Sequence, residues 1–168
     1  MQLSKLRGGE GIAGGAAILL FISMFLDWFG KEVVYETGLL NRIVPGGPKT
    51  MNAWQALDFV PLVLLITIAT ALMATAMRLG DVPPRVLALT NAVVACLGLL
   101  ATGSIAKQIT DPPVLERLAG ARIEGAALFP IYLALLLAAV VALGGLMAVR
   151  EAGLASFTAG GSQGRHLD

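Results

Sequence analysis

The longest uncharged stretch of the chain is residues 125–149, which read GAALFPIYLALLLAAVVALGGLMAV. A helix needs about 20 apolar residues to cross the roughly 30 Å hydrocarbon core of a bilayer. These 25 residues contain no Asp, Glu, Lys, Arg or His, so they are long enough to do so. In lipid every backbone polar group must be satisfied within the segment, which predicts a helix here.

Three further apolar stretches lead to the same interpretation. Residues 59–77 and 86–106 carry no charge, and residues 11–29 carry only Asp27. The sequence therefore predicts an all-α membrane protein, an antiparallel four-transmembrane-helix bundle with two longer extracytoplasmic loops. The predicted spans are about 11–29, 53–77, 86–106 and 126–149. They form a single domain, 1–149, followed by a flexible C-terminal tail, 150–168.

The composition of the whole chain excludes several classes of protein. Of 168 residues, 57% are apolar and 14% are charged, whereas a soluble domain carries about 25% charge. A net charge of +1 gives no basic surface for nucleic acid, so the expected partner is the lipid bilayer. A single cysteine, Cys96, and a single histidine, His166, cannot build a Cys/His metal centre. We expect no cofactor and no enzymatic activity.

Local signals place the start of the second span. Asn52 followed by Gln55 is typical of a capping box, which predicts a helix that begins at Ala53. Pro61 lies inside the predicted span and predicts a kink there, because proline cannot donate the helical hydrogen bond.

The two longer loops, residues 30–55 and 107–125, each contain a sequence pattern that predicts local secondary structure. Residues 33–35, Val-Val-Tyr, predict a short strand. Asp111 followed by Pro112 and Pro113 is typical of a helix cap and first turn, which predicts a short helix through Leu118.

The orientation rests on basic residues near the span ends, because cytoplasmic loops are enriched in Lys and Arg. The total divides evenly between the two sides, but Arg78 and Arg85 flank the shortest connection. Lys5 and Arg7 directly precede the first span. Both termini are therefore predicted to be cytoplasmic.

Aromatic and charged residues are predicted at the outer boundary. Trp28 and Trp54 are predicted interfacial aromatics, because indole rings favour the headgroup region. Asp27, Asp58 and Lys107 are predicted to form an interfacial polar cluster whose ion pairs fix helix register. A proton or cation site at the two aspartates is the alternative hypothesis.

Small and polar residues recur along the spans, where they let helices approach closely in lipid. They predict either packing within the bundle or a face that docks another membrane protein or a second copy of the chain. The candidate helix-packing positions are Gly11, Gly15, Asn91, Gly98, Ala138 and Gly145.

Four short motifs occur in order along the chain. They are Phe-Leu-Asp-Trp at 25–28, Asn-Ala-Trp-Gln-Ala-Leu-Asp at 52–58, Asp-Pro-Pro at 111–113 and Gly-Gly-Leu-Met-Ala-Val-Arg-Glu at 144–151. This order resembles a family of small four-span membrane proteins of actinobacteria that mostly lack an assigned function. Asp27 stands where that family has proline. The resemblance implies a bacterial plasma-membrane location and the same architecture, but it implies no activity.

Three functional hypotheses follow from the sequence. The first is a multi-pass, non-enzymatic accessory or scaffold subunit. The alternative is a small transporter or channel component with an acidic site at its outer mouth, formed by Asp27 and Asp58. The third is an enzyme that acts on lipid at the outer interface. No ionisable residue lies at the centre of any predicted span, which argues against a proton pump.

Overall fold

The computed structural model describes residues 8–35, 50–80, 82–118 and 121–161. This part of the chain is mostly helical, as predicted, and it also contains four strands. The helices are α1 (Gly9–Ser23), α2 (Ala53–Ala56), α3 (Val60–Leu79), α4 (Pro84–Thr110) and α5 (Phe129–Gly161). The strands are β1 (Asp27–Tyr35), β2 (Thr50–Asn52), β3 (Val114–Leu118) and β4 (Ala121–Ala127).

Four helices pack side by side. Helix α1 packs against α3 and α5, and α4 packs against the same two helices, so the four enclose a common interior. Helices α3, α4 and α5 are long and apolar enough to cross a membrane, whereas α1 is apolar but has only 15 residues. We call the end that carries the strands the sheet end and the opposite end, with the α3–α4 connection, the hairpin end.

The interior of the bundle is filled by small side chains, while large apolar side chains point outward. Ala17, Ala71 and Ala134 are fully buried. By contrast, Leu89 is 69% exposed and Leu136 is 61% exposed. Close packing of small residues is how helices associate in lipid, where an exposed leucine carries no penalty.

Glycines set the distance between helices α4 and α5. A Cβ added at Gly98 would lie 2.7 Å from the backbone nitrogen of Ala142, and one at Gly145 would lie 2.8 Å from that of Ala95. Ala138 is fully buried in the same interior. Each of these predicted packing residues therefore lies at a helix contact.

Gly15 does not lie at a contact within the described bundle, and a role in docking another chain stays a prediction. A Cβ added at Gly15 would meet nothing within 4 Å, whereas one at Gly14 would meet the side chain of Thr75 on α3. Gly11 is only half-buried. A four-residue spacing identifies two glycines on one face of a helix, but it does not say which face meets a neighbour.

The two longer loops form one antiparallel sheet with the strand order β2-β1-β4-β3. The longest pairing joins β1 to β4, from Phe29 opposite Ala127 to Tyr35 opposite Ala121. The predicted strand at 33–35 lies within β1. The all-α prediction did not include this sheet, because pairing between two distant loops leaves little trace in local sequence.

The predicted short helix from Pro112 to Leu118 is wrong, because residues 114–118 form strand β3. A proline pair fits the first turn of a helix, but proline also favours extended backbone in the residue before it. Pairing with β4 satisfies the backbone groups along one side of this segment, which favours a strand over a helix.

The first predicted span ends earlier than expected. Helix α1 stops at Ser23, and Asp27, Trp28 and Phe29 belong to β1 rather than to a helix. A bulge in the β1–β2 pairing lies between Asp27 and Phe29, and bulges redirect side chains. Both aromatic rings are consequently fully buried. Hydropathy alone does not distinguish a lipid-facing helix from a strand buried against the bundle.

The predicted capping box at Asn52 is confirmed. The Asn52 side chain accepts a hydrogen bond from the Gln55 backbone N–H at 3.1 Å, and α2 begins at Ala53.

The prediction of a kink at Pro61 is wrong. Helix α2 ends at Ala56 and a separate helix, α3, restarts at Val60. Proline is tolerated in a first turn, whose N–H groups have no helical partner.

The last helix is displaced at both ends relative to the predicted span 126–149. It begins at Phe129, because residues 126 and 127 belong to β4, and it continues to Gly161. The first part of the predicted tail is therefore helical. The residues after Val149 include Arg150, Glu151 and Ala152, which are strong helix formers.

Candidate functional sites at the two ends of the bundle

The sheet end carries the acidic residues singled out by sequence. Asp58 and Lys107 line an open cleft of about 420 Å³, together with Asp111. Asp27 lies in β1 opposite Asn52 and is not part of the lining. The structure therefore places two of the three predicted cluster residues at one cleft and the third at the sheet.

The side chains around this cleft are solvent-exposed. Asp58, Lys107 and Asp111 are all exposed. Ion pairs between such exposed groups contribute only about 0–1 kcal/mol. The cleft therefore offers charge for attracting a small ion or polar solute, but little stabilisation of helix register.

The two tryptophans have different environments. Trp54 is 40% exposed, and its ring lies 6.0 Å from that of Phe25, which makes an edge contact with Phe21. This position suits an interfacial aromatic. Trp28 is fully buried, and its indole N–H donates to the backbone carbonyl of Ser23 at 2.7 Å. It therefore adds a second donor to a carbonyl at the end of α1 that also accepts from the Leu26 backbone N–H at 3.1 Å, and its ring lies in the core.

The hairpin end holds a buried carboxylate that sequence reasoning missed. Glu10 lies in the first turn of α1 and is only 3% exposed. Its Oε1 accepts a hydrogen bond from Asn91 Nδ2 of α4 at 3.0 Å. Its Oε2 is buried and has no hydrogen-bond partner in the described part of the chain.

Three other helices hold Glu10 in place. The Thr75 hydroxyl of α3 donates to the Glu10 backbone carbonyl at 2.9 Å. Asn91, which is 1% exposed, fixes the carboxylate from α4. On the α5 side, a Cβ added at Gly144 would lie 2.8 Å from the Gly9 carbonyl. The carboxylate is thus positioned before any ligand arrives.

A second carboxylate approaches the same place. A Cβ added at Gly8 would lie 3.0 Å from Glu10 Oε2 and 2.8 Å from Glu151 Oε2. The two carboxylate oxygens therefore converge beside Gly8, where the missing side chain leaves room. No group of three or more His, Cys, Asp or Glu side chains able to hold a metal occurs among the described residues.

The sequence contains a signal that could have identified this site. Glu10 is flanked by Gly9 and Gly11 immediately before an apolar stretch. Small neighbours allow a second helix to approach, and such an approach removes the intervening carboxylate from water. Asn91, one of the predicted packing residues, supplies the matching donor.

Compared with family models, curated proteins and solved structures, the chain matches none of them. The resemblance to small four-span membrane proteins therefore stays a prediction. Three long apolar helices remain the main structural feature from which a function can be argued.

Proposed function

We propose that this chain crosses a bacterial plasma membrane four times and serves as a non-enzymatic accessory or scaffold subunit. In this proposal α1 is the fourth span, because it packs against α3 and α5 and exposes Ile18, Leu19 and Ile22. Both termini are cytoplasmic and the sheet lies outside the membrane. The exposed leucines and isoleucines of the bundle then face lipid.

The sheet carries the scaffold proposal. Two separate loops contribute strands to it, and each strand adjoins a different helix in the chain: β1 follows α1, β2 precedes α2, β3 follows α4 and β4 precedes α5. Strand β3 lies at an outer edge of the sheet. An edge strand presents backbone N–H and C=O groups that can pair with a strand of another protein.

The test is a pair of proline substitutions in β3, Glu116→Pro and Arg117→Pro. Backbone N–H groups of successive strand residues point to opposite sides, so one substitution removes a bond to β4 and the other removes a donor at the free edge. The melting temperature of each variant in detergent distinguishes the two, because only the variant that keeps all β3–β4 hydrogen bonds should melt close to the wild type. We expect this edge variant to lose the partner that co-purifies stoichiometrically with the wild-type chain from its native host in mild detergent.

Two outcomes would count against the scaffold proposal. One is a wild-type chain that purifies as a monomer without a companion. The other is a companion that stays bound equally well to the wild type and to both proline variants, which would place the contact elsewhere.

The cleft at the sheet end supports a second candidate, a small transporter or channel component. Asp58 and Lys107 at its lining could attract an ion at the outer mouth. Reconstituted liposomes containing a fluorescent ion indicator would test it, with Asp58→Asn compared with Asp27→Asn, which lies outside the cleft. Wild-type vesicles that leak no faster than protein-free vesicles would exclude this candidate.

A further inference from the structure

The strongest unassigned feature of the molecule is the pair of carboxylates at the hairpin end. We infer that Glu10 and Glu151 form a binding site for a small hard cation, an alkali or alkaline-earth metal ion. This site is distinct from the proposed sheet contact and lies at the opposite end of the bundle.

The first argument is the buried oxygen. Glu10 is 3% exposed, its Oε1 is occupied by Asn91, and its Oε2 has no hydrogen-bond donor in the described part of the chain. A buried carboxylate oxygen without a partner is costly, because it has lost its water without a replacement. A cation at Oε2 would supply the missing interaction.

The second argument is convergence. Glu151 Oε2 points toward the same place, and each carboxylate oxygen is within 3.0 Å of the position of a Cβ on Gly8. Two like charges directed at one point repel each other unless a positive charge lies between them. Glycine at position 8 leaves that space free, and any larger residue would occupy it.

The third argument concerns the chemistry of the ligands. Both groups are carboxylates, and hard oxygen ligands of this kind suit Na⁺, K⁺, Mg²⁺ and Ca²⁺ rather than soft transition metals. Asn91 and Thr75 hold Glu10 from two different helices, so binding costs little reorganisation. Because Glu151 belongs to α5 and Glu10 to α1, a bound cation would join the first and last helices.

The test measures cation binding by the full-length purified chain in detergent. The chloride salts of Na⁺, K⁺, Mg²⁺ and Ca²⁺ are titrated at constant pH, with choline chloride keeping the ionic strength constant. We expect at least one cation to raise the melting temperature saturably, because a ligand that binds only the folded state stabilises it. Isothermal titration calorimetry with the same cation gives its affinity directly.

Three variants locate the site. Glu10→Gln keeps an acceptor for Asn91 but removes the charge, and Glu151→Gln removes the second charge. We expect each to weaken binding roughly tenfold or more, as losses around metal sites do. Gly8→Ala removes no ligand but fills the space and should also weaken binding. Glu32→Gln, in β1 at the opposite end of the bundle, should leave the affinity unchanged.

Several results would overturn the inference. They are the absence of saturable stabilisation by all four cations, equal affinity in the wild type and in Glu10→Gln, and stability that responds to pH but not to any metal ion. A fourth is cation binding by a Lys5→Gln/Arg7→Gln variant but not by the wild type. That result would mean that a basic side chain of the wild-type protein occupies the proposed metal position. A companion protein retained or lost at the sheet end has no bearing on these results.

Discussion

Two side chains of opposite character mark the ends of helix α1. At its first turn the Glu10 carboxylate is held by Asn91. Beyond its last turn the Trp28 indole donates to the Ser23 carbonyl. Each hydrogen bond is buried and joins α1 to a different part of the chain, so each can be tested by removing a single donor.

Removing the amide of Asn91 should destabilise the bundle. Asn91→Leu leaves both oxygens of the buried Glu10 carboxylate without a donor among the described residues, at a cost of about 1–3 kcal/mol. Reversible unfolding in mixed micelles measures this loss. The double variant Glu10→Leu/Asn91→Leu removes both partners and should recover part of it. Losses that simply add in the double variant would show that the two side chains are not coupled.

The two tryptophans provide a matched pair. Trp28→Phe removes the donor to the Ser23 carbonyl and leaves a cavity in the core, so we expect a loss of about 2 kcal/mol and a lower melting temperature. Trp54→Phe changes a partly exposed ring and should have little effect on unfolding. Equal effects of the two substitutions would contradict the buried position of Trp28.

The length of each uncharged apolar stretch predicted where the helices lie better than it predicted the residues at which they begin and end. Residues 86–106 lie inside α4, because a long uncharged stretch in lipid has few alternatives to a helix. Residues 24–29 are apolar except for Asp27, yet they turn and enter β1. Their partners in β4 are far away in sequence, and local patterns do not record such pairing.

The candidate sites also depend on contacts between residues that are far apart in the sequence, which local patterns do not record. Asp58 and Lys107 line one cleft, and both lie near helix ends that apolar length indicates in the sequence. Glu10 was missed because its burial depends on Thr75, Asn91 and the glycines of α5 all meeting α1. The glycines that flank Glu10 indicate a close helix approach, but they do not show which residues of the other three helices meet it.

The α4–α5 contact gives a prediction with an internal control. Gly98→Ala places a Cβ 2.7 Å from the Ala142 backbone nitrogen and must push the helices apart, at a cost of about 1–3 kcal/mol. Gly103→Ala lies on the same helix with nothing within 4 Å of the new Cβ. That variant should unfold at the same temperature as the wild type or slightly higher, because alanine favours helix. Destabilisation of both variants to the same degree would rule out close packing as the cause.

At the scale of the whole molecule, the antiparallel helices place the sheet and the α3–α4 connection at opposite ends. If the helices cross the membrane as proposed, the two ends lie on opposite sides of it, and a reagent that cannot cross the membrane should reach only one of them. The proposed orientation puts the sheet outside.

Single cysteines test this orientation in a Cys96→Ala background. Val114→Cys, in the exposed start of β3, should react with a membrane-impermeant maleimide in intact spheroplasts. Gly80→Cys, at the exposed end of α3, should react only after the membrane is permeabilised. The reverse pattern would invert the topology, and reaction of both cysteines in intact cells would contradict four spans. Extraction of the chain by alkaline washing would contradict membrane insertion altogether.

The pairing of β1 with β4 also has a consequence for how the protein is made. Strand β1 is synthesised before α3 and α4, whereas β4 is synthesised just before the last described helix. At about 5–20 residues per second, several seconds separate the two. During that time the nascent first loop has an unsatisfied strand edge, which attracts chaperones and proteases. We therefore expect translation products that stop before Ala121 to be degraded rapidly, even though most of their hydrophobic helices are already inserted.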